Sequence, residues 1–510
     1  MRKEDFIQSI QAGYTFKGDC VQLGAGMLDG EVISEAKIFL PLRTMNRHGL
    51  IAGATGTGKT KTLQLISELL SNESVPVMLM DIKGDLSGLA AEGVLNDKIK
   101  ERYAKMNLTW EPGSFPVEML SLSGKEGVRM RATVSEFGPV LMSKILGLND
   151  TQGGLVALLF KFCDDNRYPL LDLKDFVKVL QYIGNEGKAL VEKEYGKIST
   201  TSTGTILRKV IELQQQGADL FFGEKSFEVN DLMRISSDGR GMISIFRVME
   251  IQDRPKLFST FMLQLLAELY ATLPEEGDLD KPKLVMFIDE AHLIFQEASS
   301  DLLRQIETVI KLIRSKGVGI FFCTQNPMDV PASVLGQLGL KVQHALRAFT
   351  AMDRKVIQKT AENYPTTPFY KTEDLITQIG IGEAMISLLN EKGIPTPLAH
   401  VMLGTPASRM DILNDMELKL IVSESTLAKK YNQDIDPESA YEILTAKLAA
   451  TGGTQSNDAN TSTPTRGAKP APTLLDNSIV KSMMRTAGNI VVRSMLGVLG
   501  IGGKAPRRSR

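Results

Sequence analysis

The sequence predicts an α/β fold, a mostly parallel sheet flanked by helices, with a helical insertion and a short β-rich segment at the N-terminus. Three observations carry that expectation. Continuous apolar runs of strand length recur at "RHGLIAG" (47–53), "VPVMLMDI" (75–82), "KLVMFID" (283–289) and "VGIFFCT" (318–324), as strands read when helices cover both faces of a parallel sheet. Stretches with apolar residues at helical spacing alternate with them: "KTKTLQLISELL" (59–70), "PKLFSTFMLQLLAELYATL" (255–273) and "DLLRQIETVIKLIRSKG" (301–317). The first strand and the first of these helices are joined by a glycine-rich turn, "GATGTGKT" (53–60).

Taken in order, residues 1–45 contain short alternating runs such as "EVISEAKIFLPL" (31–42), too few for an independent barrel. Residues 46–139 form the first part of the core. After "GVRMRATVSEFGP" (127–139) the 3.6-residue period takes over in "GGLVALLFKFC", "DLKDFVKVLQYI" and "TGTILRKVIELQQQG", which sets a helical insertion at 140–235. Strand pattern resumes at "GMISIFRV" (241–248), so 236–410 is the second part of the core, and 411–450 reads as a helical extension. Residues 451–474 are rich in Gly, Thr, Asn, Ser and Pro, too poor in apolar residues to pack, and are expected to be a disordered linker. The last stretch, 475–510, is a basic amphipathic tail.

The 510 residues are 43% hydrophobic, enough for two or three domains with substantial cores. Lys and Arg number 59 against 60 for Asp and Glu, so whole-molecule charge points to neither nucleic acid nor membrane. The distribution is uneven. Asn477 to Arg510 hold seven basic residues and no acidic one, which leaves the body about eight charges negative within a net of −1. Cys20, Cys163 and Cys323 lie far apart, and two fall in apolar runs where Cys behaves as a small buried hydrophobe. With no signal-peptide core and no apolar stretch near the roughly 20 residues of a membrane span, the expected setting is cytoplasmic and reducing. The four histidines and three cysteines show no zinc spacing.

"GATGTGKT" fills the fixed positions of the P-loop pattern with Gly53, Gly58, Lys59 and Thr60. Glycines let backbone N–H groups turn inward around phosphate oxygens, and the helix that follows points its positive end at them. The expected ATP contacts are Gly53, Ala54, Thr55, Gly56, Thr57, Gly58, Lys59, Thr60 and Lys61, with Lys59 reaching the β and γ phosphates and Thr60 ligating Mg²⁺. Hydrolysis also needs a metal partner and an oriented water. In "LVMFIDEAH" (284–292), Asp289 is placed for the Mg²⁺ shell and Glu290 to orient or deprotonate the water; an acidic pair capping a helix is the plainer alternative. His292 beside them reads as a packing residue.

Gln325, after the strand "VGIFFCT", is placed to feel the γ-phosphate, because ligands gather at the carboxyl ends of parallel strands. Asp81, Lys83 and Asp85 in "MDIKGDLSGL" stand at another strand end, where a solvated charged turn and a part in nucleotide sensing are equally open. Transition-state charge is often met by an arginine from a neighbouring subunit; Arg47 and Arg314 are the candidates, with Arg347 a third.

"RHGLIAGATGTGKTKT", "MLMDIKGDLSGL", "VMFIDEAHLIF" and "IRSKGVGIFFCTQNP" together resemble the HerA and FtsK group of RecA-like motor ATPases. "GVRMRATVSEFGP" and "QQQGADLFFGE" resemble its YjgR-like HerA branch, and the similarity runs from about residue 15 to 410. The resemblance implies a RecA-like P-loop core and a homo-oligomeric ring, usually a hexamer, with ATP between subunits. It implies a motor that moves along duplex DNA. Lys59, Thr60, Asp289, Glu290 and Gln325 match the family's nucleotide and hydrolysis positions, and the family places an arginine finger in trans. The N-terminal segment is shorter than the barrel many HerA proteins carry, and FtsK's membrane spans and DNA-reading tail domain have no counterpart.

The residues themselves support ATP hydrolysis better than a DNA track, because the acidic body does not advertise phosphate binding. A P-loop ATPase that remodels an unidentified protein partner is the alternative, and a small-molecule kinase a third, disfavoured by Glu290. The basic tail suits contact with a neighbouring subunit, with DNA, or with an anionic membrane surface, the last weakened by its glycines.

Overall fold

Apolar content fixes which strands lie inside. In a computed structural model of the chain, which describes residues 2–249, 254–277, 279–295 and 300–452, the described strands form one sheet. In chain order they are β1 (Cys20–Leu28), β2 (Glu31–Pro41), β3 (Gly49–Ala52), β4 (Val77–Asp81), β5 (Val117–Ser121), β6 (Val128–Arg129), β7 (Ile243–Arg247), β8 (Leu284–Ile288), β9 (Val318–Thr324), β10 (Leu340–Gln343), β11 (Glu383–Ser387) and β12 (Ala399–Leu403). Across the sheet they run β2-β1-β12-β11-β10-β3-β9-β8-β4-β7-β5-β6. From β10 to β6 every pairing is parallel, and from β10 back to β2 every pairing is antiparallel. The four predicted apolar strands, β3, β9, β8 and β4, are adjacent at the centre and buried at every position. That is the burial expected where both faces are covered.

The chain divides into two compact units. One comprises the residues to Met130 and Phe227–Asn432, and holds the whole sheet and its core. Its N-terminal part is β-rich as expected, in β1 and β2, with a helix ahead of them. Arg2–Gly13 is a helix, because Phe6 and Ile10, four residues apart, bury one face of it. Strands β1 and β2 then extend the common sheet through β12 rather than forming a separate layer.

The other unit comprises Arg131–Ser226 and the described residues from Gln433. It is helical, with Val134–Ile145, Asp150–Asn166, Leu173–Gly184, Lys188–Tyr195, Thr200–Gln215 and Ala440–Gly452 as its α-helices. Three of them begin with reciprocal capping boxes, Thr133 with Glu136, Asn149 with Gln152 and Asp172 with Asp175. Its bounds therefore differ from the 140–235 expected. The helix starts inside "VSEFGP", whose Gly138–Pro139 pair bends it without ending it. At the other end, residues 227–235 pack in the first unit, where Tyr431 donates to Asp231 Oδ2 at 2.6 Å and its ring lies 4.9 Å from that of Phe227. The expected extension 411–450 is shared between units: Asp415–Glu424 and Thr426–Tyr431 belong to the first and Ala440–Gly452 to the second, where Ser439 and Tyr441 N–H hydrogen-bond Asp175. The linker and tail expected at 451–510 lie, from residue 453 on, outside the described residues.

Candidate functional site

Parallel register brings four strand ends to one edge. Ala52 is level with Thr324, Ile288 with Phe322 and Met80 with Ile288. Gly53, Gln325, Asp289 and Asp81, each the next residue or the last of its strand, therefore share the carboxyl edge of β3, β9, β8 and β4, where ligands of such sheets gather.

The turn after β3 is built by glycine. Gly53, Gly56 and Gly58 have φ of +153°, +78° and +114°, a region that side chains with a Cβ disfavour. At Gly53 a Cβ would also lie 2.5 Å from Cβ of His344. Gly58 is the N-cap of the helix Lys59–Asn72, and no side chain caps the first N–H groups. Lys59 is buried and its Nζ donates to the carbonyls of Gly53 (2.7 Å) and Ala54 (3.1 Å), so the ammonium lies directly over the turn. Burial, with Lys83 nearby, lowers its pKa. Thr57 Oγ1 donates to Ala54 O at 2.7 Å, and Thr60 occupies the second position of the helix. Lys61 points elsewhere: its Nζ donates to Met410 O at 2.6 Å.

The carboxylates after β8 are both buried, at 5% and 6% exposure. Oδ2 of Asp289 has no hydrogen-bond partner among the described residues, and burial pushes this carboxyl up to about 6, with Lys83 partly opposing. A buried carboxylate oxygen with no donor, on the same sheet edge as a hydroxyl-bearing helix start, is the donor chemistry a Mg²⁺ ion takes. Glu290 has φ +46°, a left-handed backbone that costs a residue with a Cβ on the order of 1 kcal/mol. Its Oε1 meets Lys83 Nζ at 2.5 Å and accepts from Gln325 Nε2 at 3.3 Å, while Oε2 lies 3.3 Å from His292 Nδ1. Burial alone would raise this carboxyl; Lys83, Gln325 and His292 outweigh it and hold it below the usual range.

Beneath Lys83, Asp81 is fully buried and accepts from the N–H groups of Gly84 (2.7 Å), Asp85 (3.2 Å) and Leu86 (3.3 Å), fixing the turn. Burial raises its pKa to about 6. Asp81 is thus a turn-forming residue.

Two of the three arginine candidates lie apart from this edge. Arg47 precedes β3 and Arg314 opens the 3-10 turn before β9, both at the amino edge of the sheet. Arg347 follows β10 on an exposed segment at the carboxyl edge.

Two residues escape sequence reasoning. His344, buried behind the glycine turn, accepts from Thr62 Oγ1 at 3.0 Å on Nε2 and donates from Nδ1 to Glu383 O at 2.8 Å. Burial lowers its pKa to about 4, so it is a neutral wall for the turn. In "KVQHALRAF" it reads only as the end of a strand. The second, Glu68, sits in the helix Lys59–Asn72 and accepts from the N–H groups of Ala407 (2.7 Å) and Ser408 (3.1 Å), which ties residues 407–408 across that helix.

Comparisons with known proteins bear on the family and the fold. The family model for the C-terminal part of HerA-like helicases matches residues 27–505. A probable helicase of Methanocaldococcus jannaschii is 22% identical over 386 residues, 70% of this chain and 66% of the relative. The DNA double-strand break repair helicase HerA of Sulfolobus acidocaldarius is 20% identical over 364 residues, 69% and 64%. The chain thus spans about two thirds of the length of these relatives. Among solved structures, the plasmid coupling protein TrwB in complex with the ATP analogue ADPNP superposes with TM-score 0.50 at 13% identity, covering 79% of this chain and 99% of TrwB, a likeness of fold.

Proposed function

The chain belongs to the HerA-like helicase C-terminal family, and from that premise we propose that it is an ATP-hydrolysing motor with duplex DNA as its track. One observation carries the hydrolytic half: the glycine turn with Lys59 after β3, and the unpaired oxygen of Asp289 and the held carboxylate of Glu290 after β8, share the carboxyl edge of the sheet on either side of β9.

In this reading Gly53–Lys61 receive the triphosphate through backbone N–H groups, and Lys59 exchanges its two carbonyl partners for phosphate oxygens. Thr60 and Asp289 hold Mg²⁺, which when bound neutralises charge on the phosphates. Glu290 accepts a proton from water as the water oxygen bonds to the γ-phosphorus. The bond from that phosphorus to the bridging oxygen breaks, and its electron pair leaves with ADP. Gln325, already on Oε1 of Glu290, links the γ-phosphate to the base. An arginine of a neighbouring subunit, Arg47 or Arg314, meets the transition-state charge, which requires the ring assembly we propose, a hexamer. Each relative's name gives a helicase or coupling role to that protein, and DNA comes to this chain on the strength of those names together with the family. No helix of the described residues is long and apolar enough to cross a membrane, and the cytoplasmic setting expected from the sequence stays part of the proposal.

ATP turnover measured with and without duplex DNA tests the reading. Stimulation that weakens steeply as salt rises is expected, because phosphate contacts release counterions. Turnover indifferent to nucleic acid at every salt concentration transfers the motor to a protein partner. No phosphate release under any condition removes the hydrolytic half.

A further inference from the structure

Lys83 carries more than the nucleotide motifs assign. It stands in the turn after β4, and that turn is pinned from below by three backbone N–H bonds to Asp81, so the lysine's Cα has a fixed position. From there its side chain crosses to the neighbouring strand end and sets Nζ 2.5 Å from Oε1 of Glu290. Glu290 needs such a partner. Its side chain is 8% exposed, and a buried carboxylate without a counter-charge is costly. Its left-handed backbone places it outside the usual rotamer constraints of a strand or helix. Gln325 adds a longer, neutral hydrogen bond to the same oxygen. Charge-assisted bonds are roughly twice as strong as neutral ones, so the ammonium rather than the amide sets the carboxylate's position.

We propose that Lys83 is a positioning residue for hydrolysis, fixing the Glu290 carboxylate in the geometry from which it acts on water. The inference rests on the reading of Glu290 as the base. The lysine acts through Glu290 and touches no reacting atom. A base misplaced by about 1 Å loses on the order of 100-fold in rate, so a residue that only orients can matter this much.

Three variants of the full chain test it: Lys83→Met, which keeps length and loses charge, Lys83→Arg, which keeps charge, and Glu290→Gln with and without Lys83→Met. Steady-state kcat and KM, affinity for a non-hydrolysable ATP analogue, and single-turnover hydrolysis with enzyme in excess are the readouts. Lys83→Met is expected to lower kcat by about tenfold or more, leaving KM and analogue affinity within about twofold, and Lys83→Arg to recover most of the loss. In the Glu290→Gln background, Lys83→Met should change single-turnover hydrolysis by less than about twofold, because the group it orients is already gone. Half-exposed Lys83 tolerates replacement, and an unchanged Tm confirms that each variant is folded; if Lys83→Met unfolds, Lys83→Gln takes its place. A raised KM with unchanged kcat makes Lys83 a phosphate ligand and overturns the proposal. So does a raised kcat, or an equal loss in both backgrounds. If Glu290→Gln abolishes turnover while Lys83→Met is normal, only the present inference fails; if Glu290→Gln turns over normally, the reading beneath it fails as well.

Discussion

The central strands β3 and β9 meet polar residues at both ends, and the two ends treat them differently. At the amino end, His48 is 2% exposed and both ring nitrogens are used on backbone: Nε2 donates to Ile310 O at 2.7 Å and Nδ1 accepts from Ile320 N–H at 3.0 Å. At the carboxyl end, Asp289 keeps a buried oxygen with no donor, Lys59 rests on carbonyls of its own turn, and three glycines hold positive φ. Satisfied polar groups stabilise a fold, whereas an inward-facing group without a partner is a cost that a ligand can offset. The centre of the sheet is thus closed at one end and prepared for chemistry at the other, and the hydrogen-bond pattern distinguishes the ends better than burial does.

The largest expected effect strikes the carboxyl end. Glu290→Gln keeps the shape and the Gln325 contact but cannot take a proton, so ATP turnover should fall by about 10²- to 10⁴-fold while analogue binding persists. Equal losses of binding and turnover would show that Glu290 is instead part of the fold. The matching perturbation at the amino end acts on stability. Burial, against the backbone bond to Ile310, lowers the His48 pKa from 6.5 to about 4. The folded protein therefore holds His48 neutral where the unfolded chain would protonate it. Its contribution is full above pH 6.5 and is lost as pH falls from 6.5 through 4, by about 3 kcal/mol at most. His48→Asn should lower Tm at pH 7.5 and flatten the acid decline seen in the native chain. An acid limb unchanged by the substitution would refute this role. Third in size, Lys59→Ala should weaken ATP-analogue affinity by about tenfold or more without moving Tm, since its hydrogen bonds are to carbonyls that phosphate would replace. A large drop in Tm would reclassify the carboxyl end as another satisfied structural site.

How far the sequence reveals these ends follows from the range of the interactions. The parallel centre is legible because each apolar run declares its own burial, and the glycine turn because phosphate geometry demands a fixed local spacing. Asp289 and Glu290 are legible for the same reason. Antiparallel β11, β12, β1 and β2 are not: Gly26 pairs with Val401 across most of the chain, and nothing local to either residue encodes the other. The N-terminal helix hides behind a single Phe6–Ile10 pair. Lys83 and Glu290 are separated in the same way, so "DIKGD" alone leaves a solvated turn and a functional one equally open, and only the strand order β8-β4 decides that they meet. His344 is silent because its role is to be a neutral wall, which requires no motif.

The arginines give the smallest expected signal and bear most directly on whether the amino end is wholly structural. Arg47 and Arg314 both lie at that end, away from Glu290 of their own chain, so neither can meet the γ-phosphate held there. Either can do so only across a subunit interface. In a ring where each site takes Glu290 from one subunit and the arginine from the next, Arg314→Ala and Glu290→Gln homo-oligomers are each inactive. A mixture contains some interfaces at which an intact Glu290 faces an intact Arg314. Equimolar mixing should then recover a measurable fraction of native turnover, on the order of a quarter if subunits assort at random and sites fire independently. The same mixture made with Arg47→Ala discriminates between the two. Recovery with one arginine alone gives the closed end a role in catalysis through its neighbour, and no recovery with either leaves hydrolysis to the carboxyl edge.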